Sequence, residues 1–384
     1  MKIAMLVPDN RDELRRYSDP EPYFGQAVSA LLEGLAQMAE CEVHIVSCTH
    51  QPLRAPPQLA DNIFYHSFIV SKWGWLRGGY LGCVRAVRRK LREINPDIVH
   101  GQGTERYCAL AAVCSGFPNV LTIHGNMRLL AKVKRAGPFS FAWLAARLEG
   151  FALPRSAGVI CLSGHTKRQV EGLAPLTWVV PNAVDSRFFE VERKLASPRQ
   201  IVCVANILPS KNQVWLIRAL DALARQEKFE LIFYGGARAE DPYVQEFLRM
   251  TKERAWCRFA GWADRTGLQA ALAQAAMLVL PTLEENCPMS VLEAMAAGVP
   301  VAAANVGGLP DLIKDGVDGI LFALDPPDNI GRAVAEILLD DKKAGQLASA
   351  AKSKALASFH PRKIASRHLE IYRQIVRDHP LTHN

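Results

Sequence analysis

Short apolar runs alternate with stretches of helical periodicity along most of this chain. In the first half, the runs Lys2–Val7, Glu42–Cys48, Ile63–Phe68, Asp97–His100, Val120–His124 and Gly158–Leu162 predict strands, and Gln26–Met38 and Leu81–Ile94 predict helices between them. The second half repeats the theme. Strands are expected at Ile201–Ala205, Glu230–Tyr234, Cys257–Phe259, Met277–Leu280 and Val299–Ala303. Helices are expected at Gln213–Arg225, Pro242–Glu253, Thr266–Gln274 and Ile330–Leu339. Such alternation predicts an α/β protein with two doubly wound, parallel, Rossmann-like sheets facing across a cleft, each taking ligands at the carboxyl ends of its strands. A turn-rich run, Val180–Asp185, closes the first half, and Glu190–Gln200 is polar without apolar period. The expected domains are therefore 1–187 and 188–360. The tail, His360–Val376, has helical spacing.

The length agrees with this division, because 384 residues exceed one ordinary core. Nine cysteines stand singly with no Cys-x-x-Cys pair, which argues against a zinc or dithiol site and fits a reducing compartment. The run Met1–Val7 is too short for a signal peptide, and no apolar run reaches membrane-spanning length, so a cytoplasmic protein is expected. The net charge of +8 is concentrated in the first half. Seven basic residues and no acid lie between Lys72 and Arg92, and a second acid-free patch holds Arg128, Lys132, Lys134 and Arg135. With Trp73 and Trp75 just ahead of it, the basic face of the 81–94 helix is either a contact for an anionic membrane surface or a solvated crossover helix. That helix is expected to put Leu81, Val84, Val87 or Arg88, Leu91 and Ile94 on one inward face. No nucleic-acid recognition module is present.

The richest segment is Pro281–Pro300. Glu285 precedes a helix start marked by Pro288, expected at the first helical position, and Glu293 lies on that helix, which Gly298 ends. A helix N-terminus with free N–H groups suits phosphate. With helical rise separating them, Glu285 and Glu293 are read as two binding groups and not as a glycosidase pair. Lys211 stands in a polar loop between a strand and a helix, with Ser210 as a candidate cap; a lysine there calls for an anion. His124 ends a buried strand, where it serves either ligand or structure. Gly25, ahead of Gln26, and the pair Gly307-Gly308 are strand–helix turns that bring backbone near a ligand or simply turn the chain.

Taken together, Pro281, Glu285, Glu293, Gly298, Pro300, Gly307, Gly308, Asp315, Gly316 and Gly319, preceded by Val180-Pro181-Asn182-Ala183-Val184-Asp185 and Lys211, resemble the retaining glycosyltransferases of family 4, with the GT-B fold. The resemblance is strong from about 180 to 325 and rests on pattern before that. It implies a nucleotide-sugar donor held mainly by the second domain, a glycan or lipid-linked acceptor chosen by the first, and a tail helix (about 361–384) packed back on the first domain. It also implies that neither cofactor nor metal is needed. By resemblance, His124 and Glu285 are catalytic, near the transferred sugar. Gly25, Gln26, Asn206, Lys211, Asn286, Cys287, Pro288, Met289, Ser290 and Glu293 bind the donor, Glu293 through its ribose. The implied setting is surface polysaccharide assembly on the inner face of a membrane. Three positions depart from the family pattern: Asn206 where an arginine is usual, Asn286-Cys287-Pro288 where Gly-Phe-Gly is usual, and Asp311 for glutamate. Arg238 and Arg265 are candidate replacements for the missing cation. The rival readings are a GT-B epimerase or phosphorylase, and a non-catalytic protein that binds sugar nucleotides or membranes.

Overall fold

The computed structural model describes residues 1–133 and 135–379 and divides them into two units, Met1–Ala183 with the tail from Pro361, and Val184–His360. Lys134 and residues 380–384, parts of the second basic patch and of the expected tail helix, lie outside the described residues.

In unit 1 the strands are β1 (Lys2–Leu6), β2 (Glu42–Thr49), β3 (Gln58–Ala60), β4 (Ile63–Ile69), β5 (Ile98–Gln102), β6 (Asn119–Ile123), β7 (Gly158–Cys161) and β8 (Thr177–Val179). Its helices are α1 (Asn10–Leu14), α2 (Gln26–Ala36), α3 (Leu81–Ile94), α4 (Tyr107–Val113), α5 (Met127–Val133), α6 (Phe141–Ala152) and α7 (Gly164–Val170). Unit 2 contains α8 (Gln213–Leu220), α9 (Pro242–Lys252), α10 (Arg265–Gln274), α11 (Met289–Ala296), α12 (Leu309–Leu312), α13 (Asp328–Leu338) and α14 (Asp341–Ser358). Its strands are β9 (Arg199–Val204), β10 (Phe229–Tyr234), β11 (Cys257–Gly261), β12 (Ala275–Leu280), β13 (Val301–Ala304) and β14 (Ile320–Phe322). The last helix, α15 (Pro361–Asp378), returns to unit 1.

The sheet of unit 1 runs β3-β4-β2-β1-β5-β6-β7-β8, parallel except for the edge pair β3–β4, and that of unit 2 runs β11-β10-β9-β12-β13-β14, parallel throughout. The two-residue period of a strand sends alternate side chains to opposite faces. On β1, Ile3 and Met5 join the core under α2 and α15, while Ala4 and Leu6 join the one under α3, α4 and α6. The cover of the first face is close. A Cβ on Gly34 of α2 would stand 2.2 Å from the carbonyl oxygen of Pro361 in α15. Strand order reverses between β1 and β5 in one sheet and between β9 and β12 in the other, which marks the carboxyl edge there as the place for ligands.

Several local expectations are corrected. The three-residue strands β3, β8 and β14 carry too little pattern to be seen, and β3 makes its sheet mixed. The 213–225 helix stops at Leu220, and a separate 3-10 turn follows at Leu223–Arg225. Leu81 is not in the core of α3 but 58% exposed.

Candidate functional site

Four loops at the carboxyl edge of unit 2 lock together. After β9, Asn206 spends its side-chain oxygen on the Gly236 N–H (3.0 Å), tying this loop to the one after β10. The chain then makes a 3-10 turn at Pro209–Lys211. Ser210 does not cap α8, whose N-cap is Asn212 in the left-handed region without a side-chain bond. Instead the Ser210 carbonyl accepts from the Thr282 hydroxyl (3.1 Å) and the Leu283 N–H (2.8 Å), joining the loop after β12. The fourth loop follows β13. Gly307, at φ +57°, lies so close that a Cβ would fall 2.0 Å from the Glu285 carbonyl oxygen, which also accepts from the Gly308 N–H at 2.8 Å. Any side chain at 307 would push Glu285 out of place.

Held this way, Lys211 Nζ and a Glu285 oxygen form an ion pair across the strand-order reversal, with both side chains mostly shielded from solvent. Beyond Glu285, Asn286, Met289 and Ser290 are half-buried, and Cys287 and Pro288 are buried. Pro288 is the N-cap of α11, one place earlier than expected, because its ψ of 122° is extended. With no side-chain cap, the first N–H groups of α11 remain for an outside acceptor.

Glu293 faces inward from the second turn of α11 and is 3% exposed. Among the described residues its carboxyl group makes no hydrogen bond, and burial raises its pKa to about 7 against the opposing charge of Arg265. Arg265 in turn pairs with Asp185, which Arg187 also holds at 2.8 Å. Burial alone would raise Asp185, but the Arg187 hydrogen bonds and the two guanidinium charges outweigh it and lower its pKa. Arg265 is thus already engaged, whereas the exposed Arg238 has no ion-pair partner among the described residues.

The carboxyl edge of unit 1 buries its charges and surrounds His124 with neutral hydrogen-bond partners. The loop after β1 is fastened by the buried pair Arg11–Asp9 (2.6 Å), with the Tyr65 hydroxyl donating to Asp9 at 2.8 Å. This loop leads to Gly25, the N-cap of α2, and Gln26, its first residue. His124 stands just past β6. Its Nε2 meets Gln102 Oε1, at the end of β5, at 2.8 Å. Gln102 can only accept there, so Nε2 carries the proton. Beneath, His100 bridges Thr122 Oγ1 (2.7 Å) and the Tyr372 hydroxyl of α15 (2.6 Å). Burial lowers the pKa of His100, His124 and His368, the last to about 4, and keeps the network uncharged. The buried carboxylate of Glu149 accepts from the Thr104 hydroxyl (2.5 Å) and from the Met127 and Arg128 N–H groups (3.1 Å each), fixing the chain just after His124.

Sequence reasoning missed Gln102, Glu149 and the Asp185–Arg265 pair. Only Glu149 left a signal, as the first acid after a long acid-free stretch. Among the described residues, no cluster of three or more His, Cys, Asp or Glu is arranged to hold a metal, and no helix is long and apolar enough to cross a membrane. Of the two tryptophans before α3, Trp75 stacks on His50 (3.9 Å between ring centres), and only Trp73 is free to touch a surface.

A family model described as Glycosyltransferase Family 4 matches residues 25–188, and one described as Glycosyl transferases group 1 matches residues 198–340. The chain belongs to the family 4 glycosyltransferases. This glycosyltransferase is 27% identical over 297 residues to the glycogen synthase of Mycobacterium tuberculosis (strain ATCC 25618 / H37Rv), a match covering 73% of this chain and 69% of that one. It is 30% identical over 182 residues to the GDP-mannose-dependent alpha-(1-6)-phosphatidylinositol monomannoside mannosyltransferase of Mycolicibacterium smegmatis, covering 44% and 47% of the two chains. Among solved structures, sucrose-phosphate synthase from Thermosynechococcus elongatus superposes with a TM-score of 0.76 at 18% identity, over 98% of this chain and all (100%) of that one. Anabaena HepE in complex with UDP gives 0.71 at 20%, over 97% and 100%. These likenesses establish the GT-B fold of the glycosyltransferase, two parallel-sheet α/β units.

Proposed function

We propose that this glycosyltransferase moves a sugar, with retention at the anomeric carbon, from a nucleotide-diphosphate-sugar donor to a glycan or lipid-linked acceptor in surface polysaccharide assembly. The reading has it work on the cytoplasmic side of the membrane, without metal or cofactor. The observation that carries it is the Lys211–Glu285 pair beside the uncapped start of α11. In this reading the donor diphosphate draws the Lys211 ammonium away from Glu285 and takes the α11 N–H groups. That stabilises the leaving group electrostatically and frees the Glu285 carboxylate for sugar hydroxyls. Glu293, buried and without a hydrogen bond among the described residues, is set to accept from ribose hydroxyls once ionised. His124, with Nε2 committed to Gln102, is held in one orientation for the transferred sugar. Support comes from relatives whose names specify GDP-mannose and a neighbour solved with UDP.

The test is a panel of nucleotide sugars read by binding and hydrolysis. One donor should bind and turn over, and Lys211→Ala and Glu285→Ala should each abolish turnover. Unchanged turnover in both variants would mean that the site lies elsewhere. A panel without any binder would remove the donor reading.

A further inference from the structure

We propose that the carboxyl rim of unit 1 is a docking edge that seats on an anionic lipid bilayer through two apolar tips. The docking stands on its own observations, and only its consequence, that the acceptor is lipid-linked, rests on the function proposed above.

The first tip precedes and opens α3, where Trp73 is 77% and Leu81 58% exposed. It is one rigid piece. Gly74 and Gly82 approach so closely that a Cβ on Gly82 would lie 2.4 Å from the Gly74 Cα, fastening the Trp73 turn to the first turn of α3. The second tip is made by residues 135–140 and the adjoining helix ends, where Val133 is 72%, Phe139 82% and Phe141 48% exposed. Phe139 sits at φ +65°, a region bulky L side chains rarely adopt, so the chain holds an aromatic ring out in solvent in an unfavourable backbone geometry.

Topology puts both tips on one edge. The strands they follow, β4 and β6, run parallel in one sheet, so each crossover leaves from the carboxyl edge. Both α3 and α6 pack against α4 on the same face of that sheet, so they stand about 20 Å apart with α4 between. His124 leaves β6 at this edge as well.

Charge decides the partner. Each tip is flanked by exposed cations with no acid nearby in sequence: Arg85, Arg88 and Arg89 after the first, Arg128, Lys132 and Arg135 around the second. Glu93, the one acid of α3, sits in its last turn at the opposite end, and Glu149 of α6 is fully buried. Apolar side chains ringed by cations match a negatively charged lipid interface, where the rings enter the headgroup layer and the guanidinium groups meet phosphate. An acceptor carried by that bilayer would arrive at the rim that holds His124.

The experiment sediments the full chain with vesicles of phosphatidylcholine alone, and with vesicles of phosphatidylcholine and phosphatidylglycerol. Wild type should pellet with the anionic vesicles and not with the neutral ones. The pairs Phe139→Ser with Phe141→Ser, and Trp73→Ser with Leu81→Ser, should each lower retention about tenfold. Their circular dichroism and melting should match wild type, since these side chains are exposed, and Arg218→Gln with Arg249→Gln on unit 2 should pellet like wild type. Retention untouched by both tip pairs would overturn the proposal. So would equal capture by dextran sulfate beads that neither tip pair weakens, because the rim would then be a polyanion site. Donor hydrolysis without vesicles separates the two readings: a chain that hydrolyses donor but never pellets sinks docking alone, and one that pellets but hydrolyses nothing sinks the function proposed above.

Discussion

Both sheets reverse their strand order and place polar side chains at the reversal, yet they arm it in opposite ways. Around His124 unit 1 uses neutral groups, with Gln102, His100, Thr122 and Tyr372 in one hydrogen-bond network with it and burial keeping the histidines uncharged, while its Arg11–Asp9 pair is sealed from solvent. Unit 2 uses charges, with Lys211 against Glu285 and Arg265 against Asp185 beside an ionisable Glu293. A neutral network fixes a geometry and is indifferent to salt. A charged one can exchange partners with an incoming anion, and its strength follows salt and pH. In the function proposed above, the contrast separates a unit that positions a ring from a unit that would handle a diphosphate.

The sharpest way to break this contrast is Lys211→Ala. Removing one preorganised electrostatic group should lower kcat/KM for the donor about a hundredfold or more, with Lys211→Arg recovering part of it in steady-state assays. An effect of Lys211→Ala confined to stability would show that the pair is structural.

Next comes Glu293. Burial holds its carboxyl near 7, so between the ordinary value of 4.5 and 7 the folded protein keeps a proton that the unfolded chain gives up. Stability therefore falls as pH rises through that window. Glu293→Gln should be more stable than wild type at pH 8 by on the order of 2 kcal/mol, and close to it at pH 4.5, as read by denaturant unfolding. A bound ribose that favours the carboxylate should make wild-type donor affinity drop as pH falls below about 7, and Glu293→Gln should remove that dependence. Parallel pH profiles for the two proteins would leave Glu293 outside the donor site.

Smaller still is Gln102→Leu. His124 loses the acceptor that sets its tautomer, and kcat should fall about tenfold while donor affinity holds. Raising the salt should weaken donor binding a few-fold in wild type, and leave the Gln102→Leu to wild-type kcat ratio unchanged. A salt-dependent ratio would mean that unit 1 also works through charge.

The doubly wound pattern was legible because parallel strands covered on both faces read as continuous apolar runs, as at β1, β6 and β12. The strands that escaped are three residues long, held by their neighbours more than by their own pattern. At the site, Lys211, Glu285 and Glu293 were legible because loop and helix signals surround them. The structure joins Lys211 to Glu285, while Gly25, Gln26 and His124 lie in unit 1. Gln102 escaped because its meaning comes from a neighbour across the sheet, 22 positions away in sequence. Asp185 and Arg265 escaped as a pair for the same reason, at a separation of 80.

The return of α15 also sets a schedule for synthesis. Unit 2 is contiguous, so its whole sequence is synthesised before α15 begins. Unit 1 begins the chain but closes one face of its sheet with Ile364, Leu369, Ile371 and Ile375, and ties His100 to Tyr372. The usual order, amino-terminal unit first, is therefore inverted. The first half emerges with the apolar face of α2 uncovered and waits for the last helix, so a chain cut short just past residue 360 would carry a complete unit 2 beside an open, chaperone-attracting unit 1.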